Sequence, residues 1–159
     1  MPSKKISELT ELAVAPANTD KLVIVDGSTT KYITAGNLIP AHIGVAVGDE
    51  TTALTTGTAK TTFRMPAAMT LTSVRATVTT APTGATLTVD INEGGSTILT
   101  TKLTIDISEK TSTTAAAAAV IGGAGPALAD DAEMTIDIDQ IGSSVAGAGL
   151  KVWFIGYWT

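Results

Sequence analysis

Between Glu133 and Gln140 apolar and polar positions alternate, with Met134, Ile136 and Ile138 on one side and Thr135, Asp137 and Asp139 on the other. Successive side chains of a strand point to opposite faces, so this pattern predicts a strand with one buried face and one wet, acidic face. After a glycine-rich connection, Val152, Trp153, Phe154 and Ile155 are apolar at consecutive positions, as in a strand covered on both faces. The two segments, 134–138 and 150–157, read as a closing hairpin. Upstream, the same reasoning predicts strands over 43–47, 61–65, 70–79, 86–91, 97–101 and 103–107, with a further extended stretch inside 111–121. Turn signals separate them at Pro82-Thr83-Gly84, Glu93-Gly94-Gly95 and Gly142-Ser143-Ser144.

A spacing of about ten residues per strand belongs to a sandwich or jelly roll rather than to alternating strands and helices. Segments 74–78 and 87–91 read as a second hairpin, with Leu71, Val74, Val78, Leu87, Val89 and Ile91 supplying one side of the core. Leu71 is out of parity with Val74 and Val78, which places a bulge near Thr72-Ser73. The region 112–131 holds five consecutive alanines, flanked by Thr113-Thr114 and by Val120-Ile121-Gly122-Gly123. In a β context these flanks favour an extended strand, or a loop packed closely on a neighbour, over a helix.

The first forty residues differ in style. Ile6, Leu9 and Leu12 stand three apart, enough for a helical turn or a short docking segment, and an extended linker containing Pro16 follows. Lys21-Leu22-Val23-Ile24-Val25 reads as a strand, Asp26-Gly27 as a hairpin turn, and Thr30-Lys31-Tyr32-Ile33-Thr34 as the returning strand. Thr34 then caps a single helical turn that Pro40 ends. The expected organisation is an arm over 1–40 and a sandwich domain over 44–159. A lone two-stranded hairpin is barely stable in water, so the arm is expected to seek partners through Ile6, Leu9, Leu12, Val23, Val25, Tyr32 and Ile33.

Composition narrows the function classes. Threonine makes up roughly a fifth of the chain and suits exposed strand positions, which strengthens the all-β reading. Charged residues are only 16% and the net charge is -5, with Lys4-Lys5 the one local basic excess, so a nucleic-acid partner is not expected. A mean hydropathy of +0.31 in so weakly charged a chain points to apolar surface used in self-association. Absence of cysteine excludes disulfides, thiolate metal sites and thiol catalysis. The longest apolar run, 115–129, falls short of the ~20 residues of a spanning helix and is broken by Gly122, Gly123, Gly125 and Pro126, so no membrane crossing is expected. Met1-Pro2-Ser3-Lys4-Lys5 opens no signal-peptide apolar core, and Sec-type export is likewise not expected.

Candidate chemistry is sparse. His42 is the single histidine and has no second base or nucleophile elbow to work with, so it reads as a linker or interface residue. Asp90, Asn92 and Glu93 before Gly94-Gly95 carry oxygen ligands without the spacing of a calcium loop, and a polar strand end is the simpler account. Asp130, Asp131 and Glu133, and the same-face pair Asp137 and Asp139, are compatible with a cation site or a solvated acidic stripe. Paired carboxylates also serve glycosidases, but 4% aromatic residues leave few platforms for a sugar. No catalytic residue, metal or cofactor is therefore expected. At the end of the chain, Trp153, Ile155 and Tyr157 alternate with Phe154 and Trp158. Trp153, Phe154, Tyr157 and Trp158 are expected in core and oligomer packing ahead of a glycan platform. Arg64 and Arg75, the only arginines, are the best groups for gripping a partner's carboxylates.

Two sets of motifs resemble tailed-bacteriophage virion proteins. Ile6-Ser7-Glu8-Leu9, then Asp20-Lys21-Leu22-Val23-Ile24-Val25-Asp26-Gly27, then Thr30 with Lys31-Tyr32-Ile33-Thr34 are similar to the amino-terminal attachment module of tail-fibre and head-appendage proteins. Phe63-Arg64-Met65-Pro66, Thr72-Ser73-Val74-Arg75, Ala81-Pro82-Thr83-Gly84, Val89-Asp90-Ile91-Asn92-Glu93-Gly94-Gly95 and the closing strand pair resemble phage jelly-roll modules. The resemblance spans nearly the whole chain. It implies a jelly-roll-like β-sandwich carrying an N-terminal β-hairpin attachment arm, made in the host bacterial cytoplasm and carried on the virion. The implied role is structural: a trimeric capsid decoration or cement protein, or a short head fibre. The alternative is a neck or tail-fibre appendage whose sandwich binds host-surface glycan, and a small carbohydrate-active enzyme is a third class. Expected partners are further copies of the chain in a homotrimer and the major capsid protein or another virion protein, with glycan in the alternative.

Overall fold

The computed structural model describes residues 20–26, 29–35, 40–123 and 125–159, and the chain divides into two units, Met1–Ile39 and Pro40–Thr159. In the first unit β1 (Lys21–Asp26) pairs antiparallel with β2 (Thr29–Thr34), Lys21 opposite Thr34 and Asp26 opposite Thr29. This is the predicted hairpin, and Val23 and Tyr32 stand opposite each other in it, 73% and 60% exposed. The Lys21 ammonium lies 4.3 Å from the centre of the Tyr32 ring, and Ala35 closes the hairpin by donating its N–H to the Asp20 carbonyl.

The second unit is an all-β sandwich. One sheet holds β3 (Pro40–Ala46), β5 (Met69–Thr77), β11 (Ala127–Leu128) and β13 (Lys151–Trp158) in the order β11-β5-β13-β3. The other holds β4 (Gly57–Arg64), β6 (Leu87–Glu93), β7 (Ser96–Thr97), β9 (Leu103–Ile105) and β12 (Glu133–Gln140) in the order β4-β12-β6-β7, with β9 also on β6. A short pair, β8 (Leu99–Thr101) with β10 (Val120–Ile121), flanks them. All pairings are antiparallel. The domain boundary falls before β3, so residues 40–43, left out of the expected 44–159 domain, belong to the sheet and His42 is a strand residue rather than part of a linker.

The core lies between the sheets. Val152 and Phe154 of β13 and Leu71, Val74 and Ala76 of β5 meet Met134, Ile136 and Ile138 of β12 and Leu87, Val89 and Ile91 of β6. Phe154 is fully buried and packs edge-on to Phe63, ring centres 5.5 Å apart at 76°. Both expected hairpins are corrected here. β12 and β13 lie in opposite sheets, as do β5 and β6. Alternation fixes which face of a strand is buried, and two strands facing each other across a core satisfy it as well as two neighbours within a sheet.

The predicted bulge is present. Along β13 the register on β5 passes from Ile155 opposite Ser73 to Gly156 opposite Leu71, leaving Thr72 as the extra residue. Its hydroxyl donates to the Ile155 carbonyl at 3.1 Å. Buried positions switch accordingly from Met69 and Leu71 to Val74 and Ala76. Gly156 is needed at this crowded step, because a Cβ there would stand 2.0 Å from the Thr70 carbonyl oxygen. The alanine-rich stretch forms no helix: a single 3-10 turn over Ser112–Thr114, capped by Thr111, runs into an irregular loop up to β10.

Candidate binding face on the outer sheet

The central strand of the four-stranded sheet turns Val152, Phe154 and Gly156 inward and Trp153, Ile155 and Tyr157 outward. Among the described residues Trp153 and Tyr157 of that outer row stay exposed, at 40% and 36%. Among the described residues one face of this strand is buried in the core and the other is only partly covered. Register brings specific neighbours to the row, with Gly44 and Arg75 flanking Trp153 and His42 and Ser73 flanking Ile155. Three ring carbons of the indole lie 2.7–3.0 Å from where a Cβ at Gly44 would be, so the ring lies down over the glycine backbone. A side chain at position 44 would lift it.

On the opposite side of Trp153 an open cleft of about 510 Å³ is lined by His42, Arg75, Thr77, Thr111, Thr113, Trp153 and Ile155. Its far wall is the turn at Ser112–Thr114, which is stitched to β5: the Ala76 N–H donates to the Ser112 hydroxyl at 2.9 Å and Thr77 bridges Thr111. A second cleft of about 270 Å³, shared by Arg75 and Thr113, continues toward the alanine loop. Arg75 has no ion pair or side-chain hydrogen bond among the described residues. Arg64, by contrast, pairs with Glu133 at 3.5 Å and donates to the Asp131 carbonyl at 2.9 Å. Of the two arginines weighed from the sequence, Arg75 is the one left available to a ligand.

The acidic groups are used internally. Asp90 is buried on the outer side of β6, where its carboxylate accepts from the Thr97 hydroxyl at 2.6 Å and its own strand's Ile91 N–H at 2.8 Å. Asp137 stands directly opposite Asp90 and accepts from Asn92 at 3.0 Å and from the Ala59 N–H at 2.7 Å. Glu93 accepts from the Ala129 N–H. Lys102 sits among these carboxylates, 3.1 Å from Asp90 and 2.7 Å from Asp139, in the place a bound cation would take. Among the described residues no three His, Cys, Asp or Glu side chains are grouped to hold a metal ion. Hydrogen bonds to Asp139 and then Asp90 raise the Lys102 pKa above its ordinary value.

Lys102→Met should therefore destabilise the sandwich by about 1–2 kcal/mol at pH 7, a figure discounted for the half-exposed lysine. Because the folded pKa is raised, the lysine's contribution is complete below its ordinary value of about 10.4 and is lost as pH rises through the folded value. Urea midpoints of wild type and variant should differ by a constant amount from pH 7 to 9 and converge above about pH 10.5. An unchanged difference at high pH would mean that the lysine acts through packing alone.

The other residues singled out from the sequence are dispersed. Trp153 and Tyr157 share the outer row, but Phe154 is core and cannot join an oligomer contact, and Trp158 is half-buried against that core. Val23 and Tyr32 are exposed on the hairpin and Ile33 is half-buried. The side chain of Val25, and Ile6, Leu9 and Leu12 entirely, lie outside the described residues. Sequence reasoning missed Gly44, Thr77, Thr111, Thr113 and Lys102. Only register and the β5 stitching bring the first four to Trp153 and Arg75, and no local pattern announces either. No protein-family model, no curated protein and no solved structure matches this chain.

Proposed function

We propose that this chain is a structural, non-enzymatic protein of a tailed-bacteriophage virion, a trimeric capsid decoration or cement protein or a short head fibre. The observation that carries the reading is the outward-facing row of Trp153, Ile155 and Tyr157 on a central strand, with Trp153 and Tyr157 exposed. A one-copy sandwich normally keeps that face polar, and aromatic residues in a row there suit a contact with further copies of the chain or with a capsid protein. The strand order supports the jelly-roll reading: the chain crosses between the two sheets at each step from β3 to β6 and again from β12 to β13. The exposed hairpin pair Val23 and Tyr32 suits attachment by residues 1–39. His42 lines a cleft to which the described residues contribute no carboxylate, in keeping with a binding rather than a general-base role. The expected partners are two further copies and the major capsid protein or another virion protein.

A second reading, a neck or tail-fibre appendage whose sandwich binds host-surface glycan, is favoured by the cleft beside Trp153 and Arg75. Electron microscopy of particles with and without the protein separates the two by position, on the capsid surface or at the neck and tail. Sedimentation equilibrium at micromolar concentration should give three times the 16.1 kDa chain mass. A monomer under those conditions would remove the trimer from either reading.

A further inference from the structure

We infer that the cleft between Trp153 and Arg75 binds an acidic saccharide, one carrying a carboxylate or sulfate on a sugar ring. The inference rests on the glycan-binding reading, in which the Trp153 face stays open to a ligand rather than covered by another copy or a capsid protein.

Four features converge on this ligand class. The indole of Trp153 is held flat over Gly44 with its outer face bare, a fixed apolar plane onto which the C–H face of a sugar ring stacks through contact with the electron-rich ring. Thr77, Thr111, Thr113 and His42 line the remaining walls, residue types that can hydrogen-bond the hydroxyls of a saccharide, although the Thr111 and Thr113 hydroxyls also bond each other at 3.0 Å. Arg75 is the one fixed charge of the cleft, and no carboxylate lines it. In a chain of net charge -5, whose Arg64, Lys102 and Lys151 are engaged by acidic side chains, a guanidinium without an ion pair among the described residues is an opening for a foreign anion. Its planar fork accepts a carboxylate or sulfate through two parallel hydrogen bonds.

The cleft is also rigid and of suitable size. Trp153 stands on a strand paired on both sides and Arg75 opposite it on β5, and the turn carrying Thr111 and Thr113 is fixed to β5 by the bond from Ala76 to Ser112. Little ordering is then required on binding. A volume of about 510 Å³ lies within the range of small-molecule sites, about 300–1,000 Å³.

The test uses the full chain and saturation-transfer NMR, with sialyllactose and a galacturonate oligosaccharide as acidic probes and lactose as the neutral control. At least one acidic probe should bind, Arg75→Gln should weaken it about tenfold or more, and Trp153→Ala should abolish it. Arg64→Gln should bind as wild type does, and sedimentation of the Arg75→Gln protein should be unchanged. Acidic binding that survives Arg75→Gln would overturn the site. Binding of lactose alone would overturn the acidic specificity and leave the glycan reading standing. Binding of no saccharide would sink both. Loss of self-association in Arg75→Gln would make Arg75 an interface residue and end the proposal.

Discussion

Phe154→Ala should lower the unfolding free energy of the sandwich by about 3–5 kcal/mol, whereas Trp153→Ala, one residue away, should cost about 1 kcal/mol or less in the unassociated chain. Phe154 is fully buried between the sheets and meets Phe63 edge-on, so truncation loses the transfer energy of a ring and leaves a cavity that two hydrogen-bonded sheets cannot close. Trp153 is 40% exposed and covers only the backbone at Gly44 and part of a cleft. In thermal unfolding the first change should appear as a fall of about 10–20 °C for a domain of this size. If the outer row meets further copies, as proposed, the second should appear chiefly as lost concentration dependence of the melting temperature. Equal midpoints for Phe154→Ala and wild type, with a large drop for Trp153→Ala, would mean that β13 is turned by one residue and presents its other face to the core.

That one-residue distinction shows what the sequence can carry and where it stops. Parity alone separates Val152 and Phe154 from Trp153 and Ile155, and parity alone placed a bulge at Thr72-Ser73, where the register does shift. Local turn chemistry was enough to find the hairpin of β1 and β2. Sheet partnership is a non-local property. Met134, Ile136 and Ile138 need apolar neighbours, and the pattern is indifferent to whether β13 supplies them from beside or from across the core. Hydropathy likewise reads the outer row of β13 as covered, since an apolar face looks the same in sequence whether a second copy covers it or solvent touches it. At the candidate site, Trp153, Arg75 and His42 each stood out singly by residue type. Their convergence depends on the register of three strands, and the threonine wall depends on a capped turn that arrives from far along the chain. The acidic residues read as a polar strand end and a solvated stripe, and the structure instead places Lys102 among them, a lysine between two short strands with no pattern of its own.

Removing residues 1–39 should leave a folded sandwich that no longer attaches to particles. Every described residue of the large apolar core, from Ala41 to Phe154, lies in the second unit, so the truncated chain retains that core. The position of the cut matters. Pro40–Ala46 pairs along β13 from Tyr157 to Lys151, and a chain begun at residue 44 would lose half of that strand and bare an inner edge of the sheet. The 40–159 protein should therefore melt within a few degrees of the full chain, and a 44–159 protein well below it. The hairpin of β1 and β2 shows Val23 and Tyr32 to solvent, and two strands alone are marginal in water, which suits the proposed docking of this segment on a partner. Full occupancy on particles by the 40–159 protein would move the anchor into the sandwich. The bare row of Trp153, Ile155 and Tyr157 would then be the surface that meets the capsid.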